Sequence, residues 1–279
     1  MSDPRFEKEL TAITDRIIAS LEGGKIPWHK PWNGVSLVPH NWATGKAYAG
    51  GINTILLMMT GFADVRWAGF GQGKKKGAMV TRGEKATTIF CPILGYGEKN
   101  GEKYQWVKGW RTVKVFNAAQ MTGTPDLEVV DDIDPTVGFE AAAKVLARSK
   151  AKLSHGGNRA CYSPREDAIT MPPAGCFDDL SFYWATMMHE LVHWTGHDSR
   201  LDRDGVGGGI RSREDYAREE LVAEMGSAFL CHTLGINRPE IMEGHEAYIG
   251  SWIRVLKSDP KAIITAAGQA KRAMDLLLK

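Results

Sequence analysis

Residues 182–197 read FYWATMMHELVHWTGH. Apolar residues surround this stretch on most sides of a helical projection, so a helix formed by it must be buried. Yet it carries His189, Glu190 and His193. Residues four apart stack on one helical face, so His189 and His193 can address one point in space. Glu190 sits one position round from His189, beside that point. A buried carboxylate next to two imidazoles is costly without a charge partner, and a metal cation supplies one. The spacing is that of His-Glu-x-x-His, in which two imidazoles hold Zn²⁺ and the glutamate takes a proton from a water beside the ion. Another divalent ion such as Mn²⁺ suits the same donors.

A catalytic zinc needs a third protein ligand and an open position. The segment REDYAREELVAEMGSAFLCHTLG, residues 213–235, offers Glu219, Glu220 and Glu224. Glu220 and Glu224 share a face with Ala223 and Ser227, whose small side chains permit close approach of another helix. Glu220 is taken as the third ligand and Glu224 as the acceptor that orients a ligating histidine; the two roles are exchangeable at this level. Glu219 points elsewhere. His197 extends the histidine row, but three histidines along one straight face cannot surround an ion tetrahedrally, so a local role with Asp198 or Arg200 is expected.

Around this helix the pattern is mixed. FEKELTAITDRIIASLEGG opens the chain with an amphipathic helix carrying Phe6, Leu10, Ile13, Ile17 and Leu21, ended by Gly23 and Gly24. GINTILLMMTG reads as a short buried helix capped by Asn53. GAMVTRGEKATTIFCPILGY and YQWVKGWRTVKVFN read as strands, and GFGQGKKKG as a glycine-rich loop lacking the spacing of a nucleotide-binding loop. Residues 126–136 are acidic and proline-bearing, the expected linker. Beyond them FEAAAKVLARSK is helical, RACYS and DAITMP are strand-like, and helices follow to the end. The expected organisation is α+β: a mixed α/β domain over residues 1–125, then a helix-rich domain with a small antiparallel sheet over 137–279.

Charge divides along the same line. Residues 1–125 hold 17 Lys and Arg against 9 Asp and Glu, a net of +8, while the remainder holds 18 against 24, a net of −6. Six of the nine tryptophans lie in the basic part. Lys25, Trp28, Lys30 and Trp32 cluster first; Lys46 and Tyr48 follow; then Arg66, Trp67, Lys74, Lys75, Lys76, Arg82 and Lys85. Cations interleaved with aromatics suit single-stranded nucleic acid, the rings stacking on unpaired bases. Tryptophans are more often core residues and lysine runs more often solvated loops, so the residues alone leave both readings open. Cys91, Cys161, Cys176 and Cys231 form no Cys-x-x-Cys pair and read as reduced thiols. No apolar run is long enough to span a bilayer, and the charged N-terminus lacks the core of a signal peptide, so a cytoplasmic protein is expected.

His189 to His193 followed by EELVAE resembles the zincin metallopeptidases, with Glu220-x-x-x-Glu224 similar to the second motif of their glutamate-ligand, gluzincin-like branch. That resemblance implies a cleft-lining edge strand, for which DAITMP is the candidate, and an oxyanion-stabilising residue among Tyr183, Tyr216 and His245. PWHKPW, the run from Pro39 to Asn53, RGEKATTI and VFNAAQ resemble the N-terminal single-stranded-DNA-binding domain of ArdC-type antirestriction proteins, a module also similar to the N-terminal part of TraC primases. YSPREDAITMPP and YAREELVAEMGSAFL are similar to the metallopeptidase domain joined to it. What the family implies is a protein, active in the bacterial host or transfer recipient, that binds incoming plasmid single strands and shields them from restriction, with an unidentified protein as peptidase substrate. Two alternatives stand beside it: a DNA-binding protein whose metal is structural or latent, and a zinc hydrolase of a non-peptide bond.

Overall fold

The computed structural model describes residues 4–28, 38–99, 101–126, 135–206, 212–236 and 245–279. The chain divides into two compact units, one of residues 1–17 with 39–127 and the other of 18–38 with 128–279. Helix α1 (Pro4–Glu22) begins in the first and ends in the second. Phe6, Leu10, Ile13, Ile17 and Leu21 are all buried, as their spacing requires.

The first unit continues with β1 (His40–Asn41), β2 (Lys46–Ala47), α2 (Gly51–Met58), β3 (Arg66–Ala68), α3 (Phe70–Lys75), β4 (Met79–Val80), β5 (Thr87–Lys99), β6 (Glu102–Asn117) and β7 (Met121–Thr122). A five-stranded sheet runs in the order β2-β1-β3-β6-β5, and β4 pairs with β7. Only β1 and β3 are parallel in the larger sheet. Leu57, Trp67, Ile89 and Val115 form a core cluster, with Tyr48 and Phe62 packed on it.

Asn53 is not the cap of α2, which starts at Gly51 after Gly50. Its amide instead bonds both backbone groups of Phe90, donating to the carbonyl at 2.7 Å and accepting from the N–H at 2.8 Å. GFGQGKKKG, expected to be a loop, contains α3; its Gly73 is buried, and a Cβ there would stand 2.1 Å from Met121 Cε. Glycine here serves close packing, although it lowers helix propensity. Two of the motifs carrying the family resemblance are structural: Gln120 donates to Glu84 Oε2 at 2.7 Å and to the Lys85 carbonyl at 3.0 Å, and Asn117 donates to the Asp64 carbonyl at 2.7 Å.

The second unit contains α4 (Pro135–Ser149), β8 (Lys152–His155), β9 (Cys161–Ser163), β10 (Ala168–Met171), α5 (Leu180–Thr195), α6 (Arg213–Leu234), α7 (His245–Ser258) and α8 (Ala262–Leu278). Most of the expected linker lies outside the described residues; its last two positions open α4. The three-stranded sheet runs β8-β10-β9, with β8 parallel and β9 antiparallel to β10. The sheet is therefore mixed, and DAITMP supplies its central strand. Its edge strands are β8 and β9.

Helix α5 starts at Asp179, whose carboxylate accepts from Ser181 N. Helix α6 starts at Ser212 and stops at Gly235 in the left-handed region, φ 74°. The two helices run antiparallel and close: Ser227 Oγ donates to the Ala185 carbonyl at 2.9 Å, and a Cβ on Gly226 would meet Val192 Cγ2 at 2.8 Å. This approach brings the EELVAE glutamates onto the HELVH face. All four cysteines are free.

Candidate metal centre

Where α5 and α6 touch, one ligand atom from each of His189, His193 and Glu220 lies within 4.8 Å of the others. The Nε2 atoms of the two histidines face each other 3.1 Å apart. Glu220 Oε2 stands 3.4 Å from His189 Nε2, and Oε1 stands 3.6 Å from His193 Nε2. Tetrahedral zinc with bonds of about 2.0–2.1 Å has ligand-to-ligand edges of about 3.3 Å. The donor set and its spacing fit a divalent metal held by two imidazoles and a carboxylate.

The outward nitrogens are also provided for. His193 Nδ1 donates to Glu219 Oε1 at 3.1 Å, and His189 Nδ1 faces Glu224 Oε2 at 3.6 Å. Glu224 thus stands behind the His189 ring, beyond hydrogen-bond distance of its Nδ1. Glu219, expected to point elsewhere, is the acceptor for the second histidine. Arg203 holds it in turn: Nη2 donates to Glu219 Oε1 at 2.6 Å and to the Val192 carbonyl at 2.7 Å, Nε to Glu219 Oε2 at 2.9 Å, and Nη1 to Thr195 Oγ1 at 2.8 Å. Arg203 escaped the sequence reading because nothing in its own segment signals burial. Glu219 could have been found from helix direction. With α6 antiparallel to α5, the residue serving the later histidine must come earlier than Glu224, and Glu219 and Glu220 both do.

Electrostatics point the same way. Glu190, Glu219, Glu220 and Glu224 are all buried, and Arg203 neutralises only one of them. Burial alone would push both imidazoles toward the neutral form. Glu220 and Glu224 outweigh it at His189, raising its pKa to about 9, and Glu219 and Glu220 do so at His193, raising it to about 10. Burial likewise works against the ionised form of Glu219 and Glu220, yet the histidines, with Arg203 at Glu219, hold both below the usual carboxylate range. The site is built for positive charge at its centre.

A cavity of about 840 Å³ opens onto this centre, lined by His189, Glu190, His193 and Glu220 and walled by Tyr216, Tyr248 and Trp252. Cys161 and Tyr162 of β9 line it too, so the edge strand at the cleft is β9 rather than DAITMP. Among the oxyanion candidates, Tyr183 is buried with its hydroxyl 3.0 Å from His155 Nε2. Tyr216 faces the cavity one turn before Glu220, its hydroxyl 3.2 Å from that of Tyr248. The side chain of His245 lies outside the described residues. His197 stays local, its Nδ1 2.8 Å from Ser199 Oγ and 2.9 Å from Asp198 Oδ1.

The described candidate DNA-binding residues divide into buried and exposed ones. Trp28 and Trp67 are each only 1% exposed, so neither can offer a ring face to a base. Trp28 belongs to the second unit, 6.0 Å from the Trp252 ring, and Trp67 meets Phe62 edge-on in the first. Tyr48 is half-buried with its hydroxyl inward. Arg66 pairs with Asp64 at 2.8 Å and donates to the Pro125 carbonyl at 2.7 Å. Lys25, Lys46, Lys74, Lys75, Lys76, Arg82 and Lys85 are exposed, the lysine run closing α3. Lys30 and Trp32 lie outside the described residues.

The paired helices, with two histidines and a glutamate converging beside Glu190, have the arrangement of a zincin-like domain, and residues 140–269 match the family described as zincin-like metallopeptidase. Residues 7–116 match the N-terminal domain of the anti-restriction factor ArdC. The chain belongs to the ArdC family of antirestriction proteins. Crystal structures of the ArdC antirestriction protein from the R388 plasmid share 36% identity with it over 96% of either chain, with TM-scores of 0.77 for the Mn(II)-bound form and 0.75 for the metal-free form. A DNA primase TraC of Escherichia coli is 40% identical over 291 residues, which cover 95% of this chain and 26% of the primase. The chain thus spans about a quarter of that relative's length. An uncharacterised protein of Sinorhizobium fredii, y4eC, is 32% identical over 94% of this chain and 89% of its own. Among the described residues no helix is long and apolar enough to cross a membrane.

Proposed function

We propose that this is a cytoplasmic antirestriction protein that binds single-stranded DNA and protects incoming plasmid DNA from host restriction, and that its second unit is a zinc-dependent metallopeptidase. The observation that carries the enzymatic half is the convergence of His189, His193 and Glu220 beside Glu190 on one open cavity. A zinc ion held by those three residues supplies a Lewis acid that polarises a carbonyl and acidifies water. Glu190 takes the proton from the attacking water and returns it to the leaving amine. Glu219 and Glu224 fix the histidine rings. Tyr216, facing the cavity, donates to the oxygen on which charge develops. The outer edge of β9 offers backbone groups to an extended peptide of the protein substrate.

The DNA-binding half rests on the basic first part of the chain and on family membership. The test is Glu190→Gln, assayed for zinc content, cleavage of a denatured protein substrate and protection of single-stranded DNA from nuclease. Cleavage should fall by roughly 10²–10⁴-fold, the usual contribution of a general base, while zinc stays bound. Protection should remain. Cleavage at the parental rate removes Glu190 from the mechanism. A parent that binds zinc without cleaving makes the metal structural.

A further inference from the structure

The hairpin of β5 and β6 stays paired to Lys99 and Glu102, and its distal part is exposed. There Trp106 stands opposite Gly95, and Tyr104 opposite Gly97. With no side chain across from them, the two rings lie down on the partner strand. A Cβ on Gly95 would sit 2.5 Å from Trp106 Cε2, and one on Gly97 would sit 2.9 Å from Tyr104 Cζ. The ring centroids are 5.5 Å apart with 31° between their planes. Tyr104 is 51% exposed and Trp106 45%. One face of each ring rests on glycine backbone and the other meets solvent.

Large rings left open in this way are an interaction surface rather than a packing accident, because glycines opposite them hold the rings in place. The flanking residues indicate the partner. Lys108, two residues after Trp106, is exposed, and so is Lys103, which alternates to the opposite face of the strand from Tyr104. In sequence, residues 94–111 hold Lys99, Lys103, Lys108 and Arg111 against Glu98 and Glu102. Flat aromatic faces on a net-basic hairpin match a polyanion whose planar groups are unpaired and accessible. In a duplex the bases already stack on one another and offer no face.

We propose that Tyr104 and Trp106 form a stacking platform on which two successive bases of a single-stranded nucleic acid lie, with the basic side chains of the hairpin meeting the adjoining phosphates. This rests on the single-stranded-DNA reading above and supplies the aromatic surface that Trp28 and Trp67, being buried, cannot.

The experiment uses the full chain and two fluorescent probes of equal length, an oligothymidylate and an abasic deoxyribose-phosphate strand, read by anisotropy across a salt series. The parent should prefer the oligothymidylate. Tyr104→Ala/Trp106→Ala should lose roughly tenfold or more on that probe, the scale of base–aromatic stacking, with abasic binding and salt slope unchanged. Trp106→Phe should retain most of the affinity. Gly95→Ala, which keeps the ring but lifts it, should weaken the oligothymidylate alone. Circular dichroism and melting confirm that each variant is folded. A folded double variant that binds oligothymidylate like the parent overturns the platform and leaves DNA binding intact. So does a double variant that loses both probes equally, or one whose only change is in self-association. A parent that binds neither probe overturns the platform and the DNA reading together.

Discussion

Arg203 and Glu219 separate what holds the second unit together from what holds its metal. Arg203 spends four hydrogen bonds in the buried region beneath His193, two of them on Glu219. Arg203→Met leaves the Glu219 carboxylate buried without its cation, which costs about 3–5 kcal/mol. For a unit of this size that lowers the melting midpoint by roughly 6–20 °C. Adding Glu219→Leu to Arg203→Met replaces the ion pair with apolar groups of similar volume, and most of the lost stability should return. Metal affinity should not return. His193 Nδ1 still lacks the acceptor that it meets at 3.1 Å, and losing such a partner weakens metal binding about 10–100-fold. Scanning calorimetry of the metal-free variants reads the first effect, and competition with a chromophoric zinc chelator reads the second. A double variant that binds zinc as tightly as the parent would show that Glu219 serves folding alone. A single variant that melts with the parent would show that the pair is not under the burial described.

Gly226→Val forces a branched side chain against Val192 at the tightest point between α5 and α6, where even a Cβ would stand 2.8 Å away. Overpacking should cost about 1–3 kcal/mol in urea unfolding, with weaker zinc binding as the ligands part. Asn53→Leu strips Phe90 of both backbone partners in the first unit; the orphaned groups should cost about 1–3 kcal/mol each, visible as earlier loss of hydrogen-exchange protection on β5. Asp167 accepts from Arg200 and Tyr162, and Arg200 above all holds its pKa below the usual carboxylate value despite partial burial. Its stabilising effect is therefore complete above the unfolded pKa of about 3.9 and vanishes as pH falls through the lower folded value. Asp167→Asn should lower stability at neutral pH and flatten the acid limb of a pH–melting curve; an unchanged acid limb would refute the pairing.

What the sequence made legible follows from how local each signal was. The burial of α1, the HELVH face and the Gly235 stop are written in spacings within one helix, and they appear where expected. The place of Glu220 beside the two histidines was legible because antiparallel helices with small contact residues leave few ways to approach. What failed depended on a neighbour far along the chain. Gly73 reads as a loop residue until Met121 is placed against it; Asn53 reads as a cap until Phe90 arrives beside it. DAITMP was taken for the edge strand because β8, short and mostly exposed, carries almost no pattern of its own. For Trp28 and Trp67 the sequence leaves surface and core both open, because composition cannot tell an aromatic beside lysines from one beneath them. The exposed pair, Tyr104 and Trp106, was passed over within an ordinary strand alternation; only the register, which sets Gly97 and Gly95 opposite them, distinguishes it.

The same register logic explains why the metal centre needs two carboxylates beyond its ligand. On one helical face His189 and His193 could present either ring nitrogen inward. A carboxylate behind each ring removes that freedom: Glu224 faces one Nδ1 and Glu219 accepts from the other, so both Nε2 atoms turn toward Glu220. When a metal displaces the Nε2 proton, the remaining proton belongs on Nδ1 and Nε2 gives its lone pair to the cation. The cost is a pocket with four buried glutamates, offset by Arg203 at Glu219 and by positive charge at the histidines or at a cation between them. Orientation of the donors and demand for the ion thus arise from the same side chains. On the proposed metal reading, the three glutamates of the EELVAE segment divide into one that binds the metal and two that aim its other ligands.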